Sequence, residues 1–383
     1  MLRRTLFGEE HDAFRDSVRR FVASEITPHH AQWERDGIVS RDVWRAAGEH
    51  GLLCCTVPED RGGPGGDFLH SVVVIEELAR AGASGPAFSL HSDIIVPYIQ
   101  AYGSEDQKVE WLPRVAAGET VTAIGMTEPS AGSDLQAIRT RAVRDGNHFV
   151  VNGQKLYISN GQIADLYVIA CKTDPDLGGK GVSLLLVEGD REGFERGRNL
   201  DKIGCRAQDT SELFLRDVRV PITNLLGQEG RGFVQLMQQL PQERLVVAIR
   251  CAASIEAALE ETVRYTADRT AFGRRIIDFQ NTRFALAEVR TAAMATRAFI
   301  DQCIACHLDG GLSSEDAAAA KLHATETLGR VVDDCLQLHG GYGYMQEVPI
   351  ARAWIDARMS RIAGGSSEIM KEIIGRDLIA GSG

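Results

Sequence analysis

The chain reads as an α+β protein in three parts: a helical segment, a β segment and an antiparallel bundle of long helices. Two observations carry that expectation. Apolar spacing changes twice, from helical periodicity to short β-type runs near residue 123 and back to helical periodicity near residue 230. The 383 residues also exceed the roughly 250 to 300 at which one core stops growing. The expected division is an N-terminal helical domain over 1–122, a middle β domain of barrel or sandwich type over 123–229, and a C-terminal helical bundle over 230–383. In the first part Ser40 is a plausible N-cap for a helix over 41–50 that stops at Gly51, and Ser71 for one over 72–81 that stops near Gly82. The glycine cluster at 62–66 is a connection rather than a phosphate cradle, because no strand leads into it and Asp67 follows at once. In the middle part Asn152-Gly153 signals a two-residue hairpin between 149–151 and 156–158, with further strands at 165–171, 182–187 and 211–215. Beyond residue 230 the pattern is helical with breaks at 273–278, 309–313 and 340–348, the short loops of an antiparallel bundle. No repeat and no dinucleotide fingerprint of the G-x-G-x-x-G type after a strand interrupts this order.

Charge and composition remove several function classes. Lys and Arg total 42 against 53 Asp and Glu, a net charge of -11, which disfavours nucleic-acid and membrane-surface roles. The longest apolar runs, at 184–187 and 245–249, fall far short of the ~20 residues of a membrane span. The opening segment from Met1 to Phe7 starts basic, but Glu9, Glu10 and Asp12 interrupt it before a signal-peptide core can form, so a cytoplasmic protein is expected. Eight scattered cysteines read as reduced core residues. Cys303-Ile-Ala-Cys306-His307 matches the spacing of covalent haem attachment. It lies inside a helical run over 292–308, so a helix face with two incidental cysteines is the expectation, and no metal site is assigned.

The residues that could carry chemistry form five clusters in order. Ala123-Ile-Gly-Met-Thr-Glu-Pro-Ser-Ala-Gly-Ser-Asp134 sets Thr127 and Ser133 among Pro and Gly, where backbone amides can face a planar heterocycle and a phosphate. Phe149-Val-Val-Asn-Gly-Gln-Lys-Leu-Tyr-Ile-Ser159 offers an aromatic, Tyr157, to stack on that heterocycle. Arg269-Thr-Ala-Phe-Gly273 with Gln280, Gln337-Leu-His-Gly-Gly-Tyr-Gly343 and Gly364-Gly-Ser-Ser-Glu-Ile369 follow in the last third. Two phosphates need a fork of donors, which Arg supplies, and Gly lets backbone approach a ribose. Singly, each cluster has a plain alternative, a surface arginine or a bare turn.

Together these clusters resemble the acyl-CoA dehydrogenases over nearly the full length. The stretches Phe88-Ser-Leu-His-Ser-Asp-Ile94, Ala207-Gln-Asp-Thr210, Leu240-Pro-Gln-Glu-Arg-Leu245 and Met370-Lys-Glu-Ile373 look like the long-chain branch. The resemblance implies non-covalent FAD, with Met126, Thr127, Gly132, Ser133, Tyr157, Ile158 and Ser159 at the flavin. It implies further cofactor contacts at Arg269, Phe272, Ile276, Phe279, Gln280, Gln337, Leu338, Gly340, Gly341, Ser366 and Glu368. The arginine and glycines among these would reach the pyrophosphate and adenosine of an FAD whose flavin sits on a neighbouring subunit. A homo-oligomer, in this family a tetramer, is therefore implied. Substrate contacts fall on Ser133, Gln242, Arg244 and Gly365, and electrons would pass to an electron-transfer flavoprotein. Two positions depart from the pattern: Tyr157 stands where relatives often carry Trp or Phe, and Val234 where the long-chain branch has a Tyr near the substrate.

Such enzymes take the α-proton of an acyl thioester with a carboxylate while a hydride leaves the β-carbon. In many relatives that carboxylate directly precedes the C-terminal Gly-Thr-Ser, but here the position is Gly364. Relatives of the long-chain and isovaleryl type place it on a helix immediately before an Arg, which matches Glu243 and Arg244. The residues agree independently, because Glu243 falls on the helical stripe of Leu236, Leu240, Val247 and Cys251. Burial there would raise its pKa toward that of a general base. The plain alternative is an ion-paired or half-exposed glutamate beside Pro241. The backbone N–H of Gly364 is the implied donor to the thioester carbonyl, together with a ribityl hydroxyl of FAD. The reading is thus oxidation of a medium to long or branched acyl-CoA to the trans-2-enoyl-CoA. The alternatives are an oxidase or flavin monooxygenase of the same fold that uses O₂, and a flavoprotein partner without catalysis.

Overall fold

The computed structural model describes residues 3–380; Met1, Leu2 and residues 381–383, the outer ends of the expected first and last domains, lie outside the described residues. Six helices come first: α1 (Glu9–Phe21), α2 (Thr27–Asp36), α3 (Arg41–Glu49), α4 (Phe68–Arg80), α5 (Val96–Tyr102) and α6 (Glu105–Ala116). Ser40 caps α3 by accepting from the Asp42 amide, and Gly51 with φ +69° ends that segment. Two wide π-turns, Val22–Ile26 and Leu90–Ile95, lead into α2 and α5, each of which carries Pro near its start. A proline has no N–H to close the ordinary turn, so the backbone widens there.

The start of α4 corrects the sequence reading. Asp67, not Ser71, is the cap, accepting from the His70 amide, and the helix begins one turn early at Phe68. Ser71 is an interior, buried helical residue. A carboxylate directly after the glycine loop reaches the free N–H groups before a later serine can.

The middle segment is one curled mixed sheet. Its strands are β1 (Thr122–Gly125), β2 (Arg141–Asp145), β3 (His148–Ser159), β4 (Leu166–Lys172), β5 (Val182–Glu188), β6 (Phe194–Asn199) and β7 (Thr210–Pro221). They order as β1-β4-β2-β3-β7-β6 with β5 on β4, and β1 runs parallel to β4. The expected hairpin at Asn152-Gly153 is not there, for β3 runs straight through it. The turn lies earlier, where Asp145 pairs with His148 across Gly146 at φ +58°. Asn152-Gly153 instead marks a bulge against β7, with Asn152 Nδ2 donating to Asp217 Oδ1 at 2.9 Å. A Cβ on Gly153 would stand 2.3 Å from Thr140 Oγ1, so glycine there answers a close approach and not a turn.

The last third holds α7 (Gly232–Asp268), a short ladder of β8 (Thr270–Ala271) and β9 (Arg274–Arg275), α8 (Gln280–Leu308), α9 (Ser314–His339), α10 (Pro349–Ala357) and α11 (Ser367–Ala380). α7 is continuous through Pro241. Cys303 and Cys306 lie on α8, Cys303 buried in the bundle core and Cys306 half-buried. The core has two lobes that share α4. Val73, Val74 and Leu78 pack toward the sheet side, while Phe68, Leu69, Val72 and Ile75 pack on Leu245 and Ile249 of α7. The Arg297 guanidinium ties these parts together, bonding Glu76 of α4 at 2.7 Å and Glu256 of α7 at 2.8 Å. α4 and α7 are thereby held side by side, and the space they leave opens between the sheet and the bundle.

Candidate active site

That space is a cavity of about 850 Å³. It follows one face of α7, meets the loop after β1 and the end of β3 on one side, and the turn before α11 on the other. Glu243 lines it from α7 and is only 6% exposed. Among the described residues the one hydrogen bond to its carboxylate comes from the Tyr98 hydroxyl of α5, at 2.7 Å to Oε1. Burial pushes the Glu243 carboxyl up to about 7, against a downward pull from the Tyr98 hydrogen bond and the nearby Arg244 charge. A carboxylate near neutrality on a cavity wall can accept a proton without being fully neutralised beforehand.

The turn opposite is built by two glycines. Gly364 has φ +67° and Gly365 φ +99°, backbone that L side chains rarely adopt. Lys321, fully buried on α9, donates to the Gly365 carbonyl at 2.6 Å and the Ser360 carbonyl at 3.2 Å, tethering that turn from behind. Burial holds its ammonium down at about 8. Arg361 and Ser367 brace the same turn through Glu326, Ser367 Oγ donating at 2.7 Å.

The loop after β1 is fixed by a buried ion pair. Lys155 Nζ of β3 donates to Glu128 Oε1 at 2.7 Å and to the Met126 carbonyl at 3.2 Å. Glu128 also accepts from the Thr140 amide at 3.0 Å. So tied, the loop places Met126, Thr127, Gly132 and Ser133 on the cavity wall. Tyr157 sits in a bulge of β3 at φ +60° and remains 65% exposed. A bulky residue held in left-handed backbone is costly, and such strain gathers where a side chain must be aimed.

Comparison with known proteins decides the family. Models for the N-terminal, middle and C-terminal domains of acyl-CoA dehydrogenase match residues 8–119, 123–218 and 230–379. The chain belongs to the acyl-CoA dehydrogenase family. It is 48% identical over 378 residues to the mitochondrial long-chain specific acyl-CoA dehydrogenase of Sus scrofa, covering 98% of this chain and 88% of that protein. It is 36% identical to the mitochondrial isovaleryl-CoA dehydrogenase of Solanum tuberosum, over 97% of this chain and 91% of that one. A solved acyl-CoA dehydrogenase from Geobacillus kaustophilus superposes with a TM-score of 0.97 at 49% identity, over 98% of this chain and all of that one.

Members of this family are flavoproteins, and the cavity fits such a group: an exposed ring on a strained bulge, an open glycine at 132 with nothing within 4 Å of an added Cβ, and the Thr127 and Ser133 hydroxyls beside it. Ile158 and Ser159 line the same wall. Several expected positions lie elsewhere. Arg269, Phe272, Ile276, Phe279, Gln280, Gln337, Leu338, Gly340 and Gly341 do not line this cavity. Arg269 is exposed, and its guanidinium, 5.5 Å from the Tyr342 ring centroid, makes no hydrogen bond or ion pair among the described residues. Phe272 is 96% exposed and packs edge-on against Phe279. In one chain these groups form a separate outer face. Ser366 and Glu368 also stand off the cavity wall, at the start of α11.

Of the expected substrate residues, Ser133, Arg244 and Gly365 line the cavity with Glu243 and Gly364. Gln242 does not, its Nε2 donating to the Asp93 carbonyl at 2.7 Å. Val234 is also off the wall, whereas its neighbour Phe233 is on it. Arg244 is buried and donates to Ser314 Oγ at 3.0 Å, with Nε unpartnered among the described residues. Sequence reasoning missed Tyr98, Lys321 and the Lys155–Glu128 pair as parts of the site. Only the last carried a signal, since both residues fall inside motifs already singled out.

Proposed function

We propose that the protein is an FAD-dependent dehydrogenase that converts a medium to long or branched acyl-CoA to the trans-2-enoyl-CoA, with Glu243 as the base. The observation that carries this reading is a lone buried carboxylate, pushed up to about 7, on the wall shared with Tyr157 and the Gly364–Gly365 turn. FAD, when bound, supplies the acceptor for the hydride that leaves the β-carbon. Met126, Thr127, Gly132, Ser133, Tyr157, Ile158 and Ser159 hold its flavin end, and Tyr157 offers the stacking face. Glu243 accepts the α-proton. Negative charge then develops on the thioester oxygen, and the Gly364 N–H donates to it from a turn that Lys321 keeps in place. Because that donor is backbone, it needs no side chain at position 364.

The outer face with Arg269, Phe272 and the Gln337–Gly341 segment serves the adenosine and pyrophosphate of an FAD bound mainly to a neighbouring subunit, in a homo-oligomer we take to be a tetramer. Its support is the Arg269 guanidinium, which makes no hydrogen bond or ion pair among the described residues, and Phe272, which is 96% exposed. Among the described residues no helix is long and apolar enough to cross a membrane; a cytoplasmic location and an electron-transfer flavoprotein as acceptor complete the proposal. The test is anaerobic titration of the purified protein with a panel of acyl-CoA esters, following flavin absorbance. Bleaching by some of them is expected; none by any would favour a partner without catalysis, and rapid oxygen consumption with substrate would favour an oxidase.

A further inference from the structure

A glutamate on a helix has three side-chain torsions and no fixed direction, whereas proton abstraction tolerates little misplacement: an error of 1 Å costs roughly 10²-fold. Something must hold Glu243, and among the described residues its own helix donates no hydrogen bond to it, the neighbouring Arg244 being turned to Ser314. The holder comes from α5. Tyr98 is fully buried, its hydroxyl donates to Glu243 Oε1 at 2.7 Å, and the second oxygen accepts no hydrogen bond among the described residues. That second oxygen is not among the sealed atoms that lack a partner, so it opens to the cavity that Glu243 lines.

α5 is itself clamped on α7 around this contact. Tyr102, one turn after Tyr98, donates to Gln238 Oε1 at 2.9 Å, and Gln242 holds the Asp93 carbonyl just before α5. Gln242 therefore has a place in the site through this clamp, not as a lining residue. Resting on the proposed role of Glu243, we propose that Tyr98 is the positioning residue of the base, fixing one carboxylate oxygen so that the other is presented to the substrate α-carbon.

The electrostatics run the same way. Burial and the adjacent Glu243 both push the Tyr98 phenol well above its ordinary value, so it keeps its proton and only donates. Donation favours the carboxylate and opposes the burial that raises it. The charged group acting on the base is Arg244 beside it; Arg244 in turn feels Glu315 of α9, and Lys321 of α9 is pushed down by burial and by the Arg244 and Arg250 charges of α7. Asp93, on the turn before α5, is buried and pushed up to about 7 by that burial. None of these touches the carboxylate by hydrogen bond, so Tyr98→Phe removes its one direct donor and should raise the pKa of the base.

The experiment is anaerobic stopped-flow reduction of the flavoenzyme by an acyl-CoA that the wild type oxidises, across the pH range either side of neutrality. Wild type, Tyr98→Phe and Glu243→Gln are compared at matched flavin content. For Tyr98→Phe the acid limb should move about one pH unit upward and the plateau fall roughly tenfold or more, with substrate affinity little changed. An acid limb within a few tenths of the wild type's overturns the role of Tyr98. Near-normal reduction by Glu243→Gln overturns the base itself, a separate outcome. Should Tyr98→Phe lose its flavin, infrared difference titration of wild type against Glu243→Gln gives the answer without it. A hydrogen-bonded carboxyl band that titrates near neutrality supports the assignment, and a free carboxyl band overturns it.

Discussion

Replacing Glu243 by Gln keeps shape and the acceptor for the Tyr98 hydroxyl but removes the capacity to take a proton. With the carboxyl pushed up to about 7, about nine-tenths of the wild-type molecules carry the base ionised one pH unit above that value, and about one-tenth one unit below. Flavin reduction in the wild type should therefore fall about tenfold per unit on the acid side. In Glu243→Gln it should be slower by the ~10²- to 10⁴-fold typical of one general base, with acyl-CoA still bound. A second arm adds Gly364→Glu to that background. A Cβ at Gly364 would lie 3.5 Å from Lys321 Cε and 4.0 Å from Val247 Cγ2, ordinary contact, so the first side-chain atom fits. Its cost is the φ of +67°, about 1 to 2 kcal/mol for a residue with a Cβ. Partial return of flavin reduction is expected, because a carboxylate from the turn faces the same cavity from the opposite wall. The assay is single-turnover bleaching under anaerobic conditions. Near-normal bleaching in Glu243→Gln alone would refute the reasoning, since Gly364 offers no second base.

Three further outcomes follow from the same structure. Arg269→Ala should be isolated mostly as apoprotein, because alanine offers no donors to a pyrophosphate; flavin per chain measures this, and full FAD occupancy in a monomeric wild type would sink the shared site. Replacing Cys303 and Cys306 together by Ala should leave the flavin spectrum and turnover nearly unchanged, while a Soret band in the native protein that the double variant loses would restore the haem reading. Glu243 also predicts a pH-dependent stability: its folded pKa, about 7, lies above the ordinary 4.5, so its contribution is full below about 4.5 and lost as pH rises through 7. That loss is about 3 kcal/mol, and denaturant melts should favour Glu243→Gln over wild type progressively across this window. A difference that does not vary with pH would contradict it.

The order of helical, β and helical parts was legible because burial imposes one period on a helix and another on a strand, and both are written in neighbouring residues. Ser40 as a cap and the breaks at 273–278, 309–313 and 340–348 are local in the same sense, though the first extends over 269–279. The placement of Glu243 on an apolar stripe was legible too, since its stripe partners lie three and four residues apart along one helix. Asn152-Gly153 and Ser71 misled for the converse reason. Each is a sound local signal, but a bulge against β7 and an earlier cap at Asp67 satisfied the backbone better. What no local pattern carries is the identity of partners remote in the chain. Tyr98 and Glu243 are 145 positions apart, and Lys321 reaches Gly365 across 44. Such pairings are decided only when α5 lies along α7 and α9 backs the Gly364–Gly365 turn, because the low-dielectric interior rewards whichever donors and acceptors packing brings together. The buried carboxylate of Glu243 was therefore visible in the sequence, while the hydroxyl that bonds it and the ammonium that tethers the opposing turn were chosen by the tertiary fold.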